Sequence, residues 1–205
     1  MLARKRISLA AALLISVMLL TACSGRQAEP TQEVKSAKTR PALVVPKTFA
    51  SEDEKLNFAV KAVEDRYYAE AAPLLQEITA SRPEAAVYTH LGTAKYNLND
   101  TAGAIEAWSK AAEMKPELKA EMRNYVGNAL RDAKRLDEAE AAYREALQLD
   151  PTGWQAATNL ATMLRTNGKV EQAIAVLEEV ARTNGHVKPL QDLLASLKSS
   201  VRAGS

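Results

Sequence analysis

The sequence predicts an all-α chain of stacked helical hairpins, and three observations carry that expectation. Apolar residues recur at helical spacing: Met122, Val126, Ala129 and Leu130 mark one face, and Leu136, Ala139, Ala142, Tyr143, Ala146 and Leu147 mark the next. This two-helix pattern of roughly 34 residues returns in register. Its small anchors are Ala71, Ala104, Ala139 and Ala173, separated by 33, 35 and 34 residues. Each copy closes on Pro83, Pro116, Pro151 or Gly185. A proline stops a helix because it lacks an amide donor and pushes the preceding residue toward extended geometry.

Residues 1–22 form a leader with a basic start, Arg4, Lys5 and Arg6, and an apolar run over residues 7–20. That run is short for a membrane span, which needs about 20 residues, and has the length of a signal-peptide core. The chain carries a formal charge of +2. Setting aside the 3 leader cations from 27 leaves 24 basic against 25 acidic residues, about −1. The basic balance therefore belongs to the leader and gives no support for nucleic-acid binding. Cys23 is the one cysteine, so a disulfide within the chain is excluded.

Residues 20–23, Leu-Thr-Ala-Cys, resemble the lipobox of bacterial lipoproteins. The resemblance implies that Cys23 becomes the first mature residue and carries the lipid. Ser24 after it resembles the outer-membrane-sorted class, so the expected location is the periplasmic face of the outer membrane, with the inner membrane as alternative. A differently cleaved or uncleaved leader with an incidental Cys23 is the other reading. Residues 24–50 are polar and broken by Pro30, Pro41 and Pro46, which predicts a flexible tether behind Cys23. Docking of residues 43–49 on the body or on a partner is the alternative.

Four hairpins are expected at about 52–84, 85–118, 120–153 and 154–187. Bulky residues follow the small anchors by four positions at Leu75, Trp108, Tyr143 and Leu177. Phe58-Ala59, Leu91-Gly92, Val126-Gly127 and Leu160-Ala161 hold equivalent places in the first helices. With these residues the chain resembles the tetratricopeptide-repeat (TPR) family. The Tyr88, Leu91-Gly92, Ala104, Trp108, Ala111 and Pro116 copy shows it best, with Lys95 where the family favours Tyr. The fold the resemblance implies is a superhelical solenoid of four helix-turn-helix repeats plus a C-terminal capping helix. That helix is expected at residues 188–199, with Leu190, Leu193, Leu194 and Leu197 on one face and a disordered tail at 200–205. An exposed leucine stripe gripping a partner is the alternative for this helix.

By the same resemblance the first helices line a concave groove. Its expected lining is Asp53, Leu56, Val60, Val63 and Glu64 in the first unit, and Thr89, Thr93, Tyr96 and Asn97 in the second. The third supplies Asn124, Asn128, Arg131 and Asp132, and the fourth Gln155, Thr158, Thr162, Arg165 and Thr166. Amides and hydroxyls suit the backbone of an extended peptide, and Arg131 and Arg165, 34 apart, suit a carboxylate. The competing reading is a solvated polar surface. Asn128 matches an Asn of the chaperone-tail clamp of some TPR proteins, but the matching Lys places hold Thr and Asn, so that ligand is not implied.

His90 and His186 lack further ligands at metal spacing, so no metal is expected. Nucleotide-binding and hydrolase motifs are absent, so no cofactor, no small-molecule substrate and no catalytic role are expected. The chain resembles TPR lipoproteins of type IV or Flp pilus biogenesis, including pilotins. The partner implied is an envelope protein or an extended segment of one. Adaptors of β-barrel or cell-wall machinery, and a self-associating structural lipoprotein, are the alternatives.

Overall fold

The computed structural model describes residues 41–204. The leader, Cys23 and the tether up to residue 40 lie outside the described residues. Nine α-helices occur among those described. They are α1 (Glu52–Glu64), α2 (Tyr68–Ser81), α3 (Ala85–Asn97), α4 (Thr101–Met114), α5 (Lys119–Asp132), α6 (Leu136–Leu149), α7 (Trp154–Thr166), α8 (Val170–Asn184) and α9 (Lys188–Gly204). A single 3-10 turn, Pro116–Leu118, leads into α5. The helices pair as α1/α2, α3/α4, α5/α6 and α7/α8, and each hairpin packs on the next. This is the expected solenoid of four hairpins.

Helix ends follow the residue chemistry. Helices α2, α4 and α6 stop at Ser81, Met114 and Leu149, two residues before Pro83, Pro116 and Pro151. The intervening Arg82, Lys115 and Asp150 have φ near −130°, as a residue before proline must. Within each hairpin the turn is built the same way. Arg66, Asn99, Lys134 and Gly168 have φ of 63°, 63°, 64° and 76°. At each, that residue's amide and the next reach back to carbonyls of the ending helix: Lys134 to Arg131, for example, and Arg135 to Leu130. This is a Schellman closure, which requires a left-handed residue. Three of the four positions are not glycine, so three turns are held in a conformation that costs an L-residue about 1–2 kcal/mol.

The tightest contacts run between the two helices of a hairpin. A methyl group on Gly127 would stand 2.6 Å from the Tyr143 ring, and one on Gly92 would stand 2.4 Å from the Trp108 indole. In the outer hairpins the same two positions hold Ala59 with Leu75 and Ala161 with Leu177, all buried. Small and bulky partners are therefore exchanged as a pair, 16 residues apart each time.

The core is one run of buried residues from Ala85 to Leu197 and a second around the first hairpin, with Tyr88 packed against both. Ala71, Ala104, Ala139 and Ala173 are each fully buried, so the four expected equivalent sites are equivalent in environment. Among the described residues no buried side-chain nitrogen or oxygen lacks a partner. No helix among them is long and apolar enough to cross a membrane.

Two expectations are corrected here, and one alternative is set aside. Helix α9 runs to Gly204, so a disordered tail from 200 does not follow: nothing before Gly204 breaks a helix, and the Ser199 and Ser200 hydroxyls donate to the Ser196 and Leu197 carbonyls (2.9 and 2.7 Å). The leucine stripe of α9 is not an exposed grip. Leu190 and Leu197 are buried against α7 and α8, and Leu193 and Leu194 are half-buried, which makes α9 the expected capping helix. Burying the first two contributes about 2 kcal/mol each. At the other end, the flexible tether does not extend to residue 50. Leu43 packs on the first hairpin, and the Phe49 ring lies 5.6 Å from that of Phe58, as the docking alternative for residues 43–49 expected.

Replacing Lys134 by Gly removes the left-handed cost, while glycine gives back about 0.5–1 kcal/mol in unfolded-chain entropy. Lys134→Gly is expected to raise unfolding free energy by about 0.5–1 kcal/mol in urea titrations.

Candidate protein-binding face

The first helices of the hairpins form one side of the stack. Helix α1 packs on α3, α5 on α7, and α7 on α9. Between α3 and α5 the link is polar: the Tyr96 hydroxyl donates to Asp132 (2.5 Å), and the Thr89 hydroxyl lies 3.8 Å from the Met122 sulfur. The predicted lining residues are spread along this side, and the structure divides them by what they already bind.

In α3 the expected donors are turned back onto their own helix. Thr89 donates to the Ala85 carbonyl (2.9 Å), Thr93 to Thr89 (3.0 Å) and the Asn97 amide to Thr93 (2.8 Å). Short polar side chains in a helix regularly do this. In α7, Thr158 donates to the Gln155 carbonyl (3.0 Å) and Thr166 to Thr162 (2.9 Å). In α5, Asn124 is buried and accepts from the Asn159 amide (2.9 Å), while Asn128 accepts from the Tyr143 hydroxyl (2.8 Å). These two amides join structural layers. Asn159 was missed from the sequence, although it sits 35 residues after Asn124, one repeat on. In the first unit Leu56 and Val60 are half-buried, and Val63 belongs to the core at 7% exposure rather than to a groove.

Arg131 and Arg165 hold equivalent places but different surroundings. Arg131 pairs with its neighbour Asp132 at 3.0 Å. Burial alone would raise the Asp132 carboxyl, but hydrogen bonds from Tyr96 and Arg131 outweigh it and hold its pKa below the usual range. The same burial and bond push the Tyr96 phenol up to about 12. The Tyr96–Asp132–Arg131 group is thus a closed, charge-compensated set. Arg165 is exposed, and its guanidinium has no hydrogen-bonded or ion-paired partner among the described residues.

Two hollows open beside these residues. One, of about 430 Å³, is lined by Tyr96, Asn97, Asn99, Thr101, Ala129 and Asp132. The other, of about 260 Å³ between α5 and α7, has Glu121, Asn124, Tyr125, Asp150 and Gln155 in its wall. Tyr125 donates to Glu121 (2.5 Å), and burial followed by that bond lifts its phenol to about 12. The face is therefore mixed in sign: carboxylates beside the hollow, a free cation at Arg165. Its hollows can pair with groups of either charge, and among its described residues no acid, base and nucleophile stand in mutual contact. Among the described residues no three metal-ligating side chains cluster.

Two family models described as tetratricopeptide repeat match residues 89–153 and 130–197, together more than half of the chain. The human protein O-mannosyl-transferase TMTC1 is 34% identical over 97 residues, which are 46% of this chain and 11% of that protein. The chain thus spans about a tenth of the length of that relative. Among solved structures, MamA superposes with a TM-score of 0.59 at 16% identity, over 66% of this chain and 80% of that one. A thermophilic TPR protein of Thermus thermophilus gives 0.59 at 18%, over 72% and 81%. Pseudomonas aeruginosa pilF gives 0.60 at 22%, over 74% and 69%. At such identities the structural likenesses establish the fold alone.

His90, on half-buried ground in α3, has its pKa lowered by burial, with Glu64 partly opposing. A histidine below its ordinary 6.5 takes up fewer protons folded than unfolded, so stability falls as pH drops through and below 6.5. Thermal unfolding between pH 7 and 5 is expected to show that slope, and His90→Gln to flatten it.

Proposed function

On the premise that residues 89–197 of this chain are tetratricopeptide repeats, we propose that it is a lipid-anchored adaptor. It binds an extended segment of an envelope protein along the first-helix face and takes part in assembling an envelope machine such as a type IV or Flp pilus or its secretin. The repeat fold suits protein–protein interaction, and the role proposed is non-catalytic. The observation that carries the binding reading is the contrast on one face between the compensated Tyr96–Asp132–Arg131 set and the uncommitted Arg165. Arg165 meets a carboxylate of the bound segment, and Gln155, exposed one helix-length away, meets its backbone. The hollow walled by Glu121 and Asp150 takes a cationic or amide side chain.

The anchor rests on the Leu-Thr-Ala-Cys stretch ending at Cys23, and the outer-membrane address on Ser24 behind it. Two or more acyl chains hold a protein on a membrane where one is reversible. Anchoring also concentrates a weak binding face at the surface where its partner assembles. The match to the human transferase covers 11% of that enzyme and supports the repeats, not its chemistry.

Two measurements test this. Co-purification of the envelope partner from native membranes is expected to fall about tenfold or more with Arg165→Glu, since a charge-assisted hydrogen bond is worth about 1.5–3 kcal/mol. Arg131→Glu plus Arg165→Glu lowers it further, and Arg131→Ala alone has the smaller effect. Equal binding by a folded double variant would overturn the face. Cys23→Ser is expected to release the chain from membranes into the soluble periplasmic fraction; unchanged fractionation would remove the anchor.

A further inference from the structure

Each junction between successive hairpins repeats one pair of places. The second helix contributes the residue four after its bulky anchor: Thr79, Ala112, Leu147 and Ala181, at steps of 33, 35 and 34. The following first helix contributes Tyr88, Arg123, Ala157 and Gln191, at steps of 35, 34 and 34. At the first junction Tyr88 is the bulky member, and it packs on the core of both sides. At the third it is Leu147, packed on the core, with the small Ala157 as its counterpart. The last has Ala181 and Gln191. At the second, between α4 and α5, Ala112 is small and the charged end of Arg123 is turned to α6. Its guanidinium lies 3.0 Å from Glu145, and the Lys119 ammonium lies 3.9 Å from the same carboxylate.

A hollow of about 440 Å³ is left there. Its floor is apolar and belongs to the core: Trp108, Met122 and Val126. Ala112 and Glu113 stand in the α4 wall, and Lys119 and Arg123 in the α5 wall. Glu113 is exposed and has no hydrogen-bonded or ion-paired partner among the described residues. It also sits in the last turn of α4, whose carbonyl end is itself negative. The hollow shares no lining residue with the two on the first-helix face, so an occupant here does not rest on that face.

We propose that the hollow between α4 and α5 is a docking site for a basic segment of a partner protein, which inserts a leucine-sized side chain beside a lysine or arginine. The neighbouring junction defines the apolar part, because Leu147 holds the place that Ala112 leaves open. Charge defines the rest. The two cations of the α5 wall are already engaged by Glu145, so the charge left to be met is Glu113, at a helix end that favours a cation.

The test uses the full chain in detergent with Trp154→Phe, which leaves Trp108 in the floor of the hollow as the one tryptophan. The probe is the peptide acetyl-Ala-Leu-Arg-Ala-amide, and acetyl-Ala-Leu-Glu-Ala-amide is its control. Saturable change in Trp108 emission is expected at millimolar probe, with weaker binding of the control. Ala112→Leu fills the hollow as Leu147 does one repeat on. It is expected to weaken probe binding about tenfold or more with helicity by circular dichroism unchanged. Glu113→Gln is expected to weaken it about two- to fivefold, less so in high salt. No saturable change, equal binding of the control, or binding that Ala112→Leu does not alter overturns the proposal. Should Ala112→Leu lose helicity, the exposed Glu113→Lys decides, and unchanged affinity overturns it. A dimer in light scattering that Glu113→Lys abolishes would overturn it as well, because the occupant would then be a second copy.

Discussion

The closeness of the two helices within each hairpin is the constraint on which the structure depends. Gly127 meets the ring of Tyr143 and Gly92 that of Trp108, at distances that leave no room for a methyl group. That approach lets one bulky side chain per hairpin be fully enclosed in a chain with few aromatics. Stability then accumulates as hairpin and neighbour contributions, the behaviour of a linear stack.

One consequence reaches the surface. Since the second helices supply the bulky side chains, the first helices keep their outer positions for polar residues, and these make the candidate binding face. Many of those residues satisfy themselves: Thr89, Thr93 and Asn97 bond along α3, and Asn124 and Asn159 join α5 to α7. The polar groups left uncommitted on this side are therefore fewer than the residue types imply, and Arg165 stands out because its repeat-mate Arg131 is already paired with Asp132.

Most of the fold was legible because its determinants are local and periodic. Ala71, Ala104, Ala139 and Ala173 needed no context to be matched, and Pro83, Pro116 and Pro151 act on the backbone directly. The turn conformation was less visible: Asn99 and Gly168 are residue types that adopt positive φ, whereas Arg66 and Lys134 are not, and the hairpin geometry imposes it on them. The run of α9 to Gly204 was missed because polar serines resemble a frayed end, while their hydroxyls in fact bond into the helix. On the first-helix side the sequence showed residue types but not which side chains are already hydrogen-bonded within the stack. That depends on rotamers and on partners one repeat away, as between Asn124 and Asn159, and periodic spacing carries no such information.

Small and bulky residues 16 apart are expected to act as one energetic unit, and a double-mutant cycle at Gly127 and Tyr143 measures that coupling most directly. In the native background Gly127→Ala is expected to destabilise by about 1–3 kcal/mol, as overpacking does. In a Tyr143→Leu background the same change is expected to be neutral or to stabilise by up to about 1 kcal/mol, because the pair then matches Ala161 with Leu177 and alanine is the better helix former. Costs that add within about 0.5 kcal/mol would show two independent sites and contradict the account.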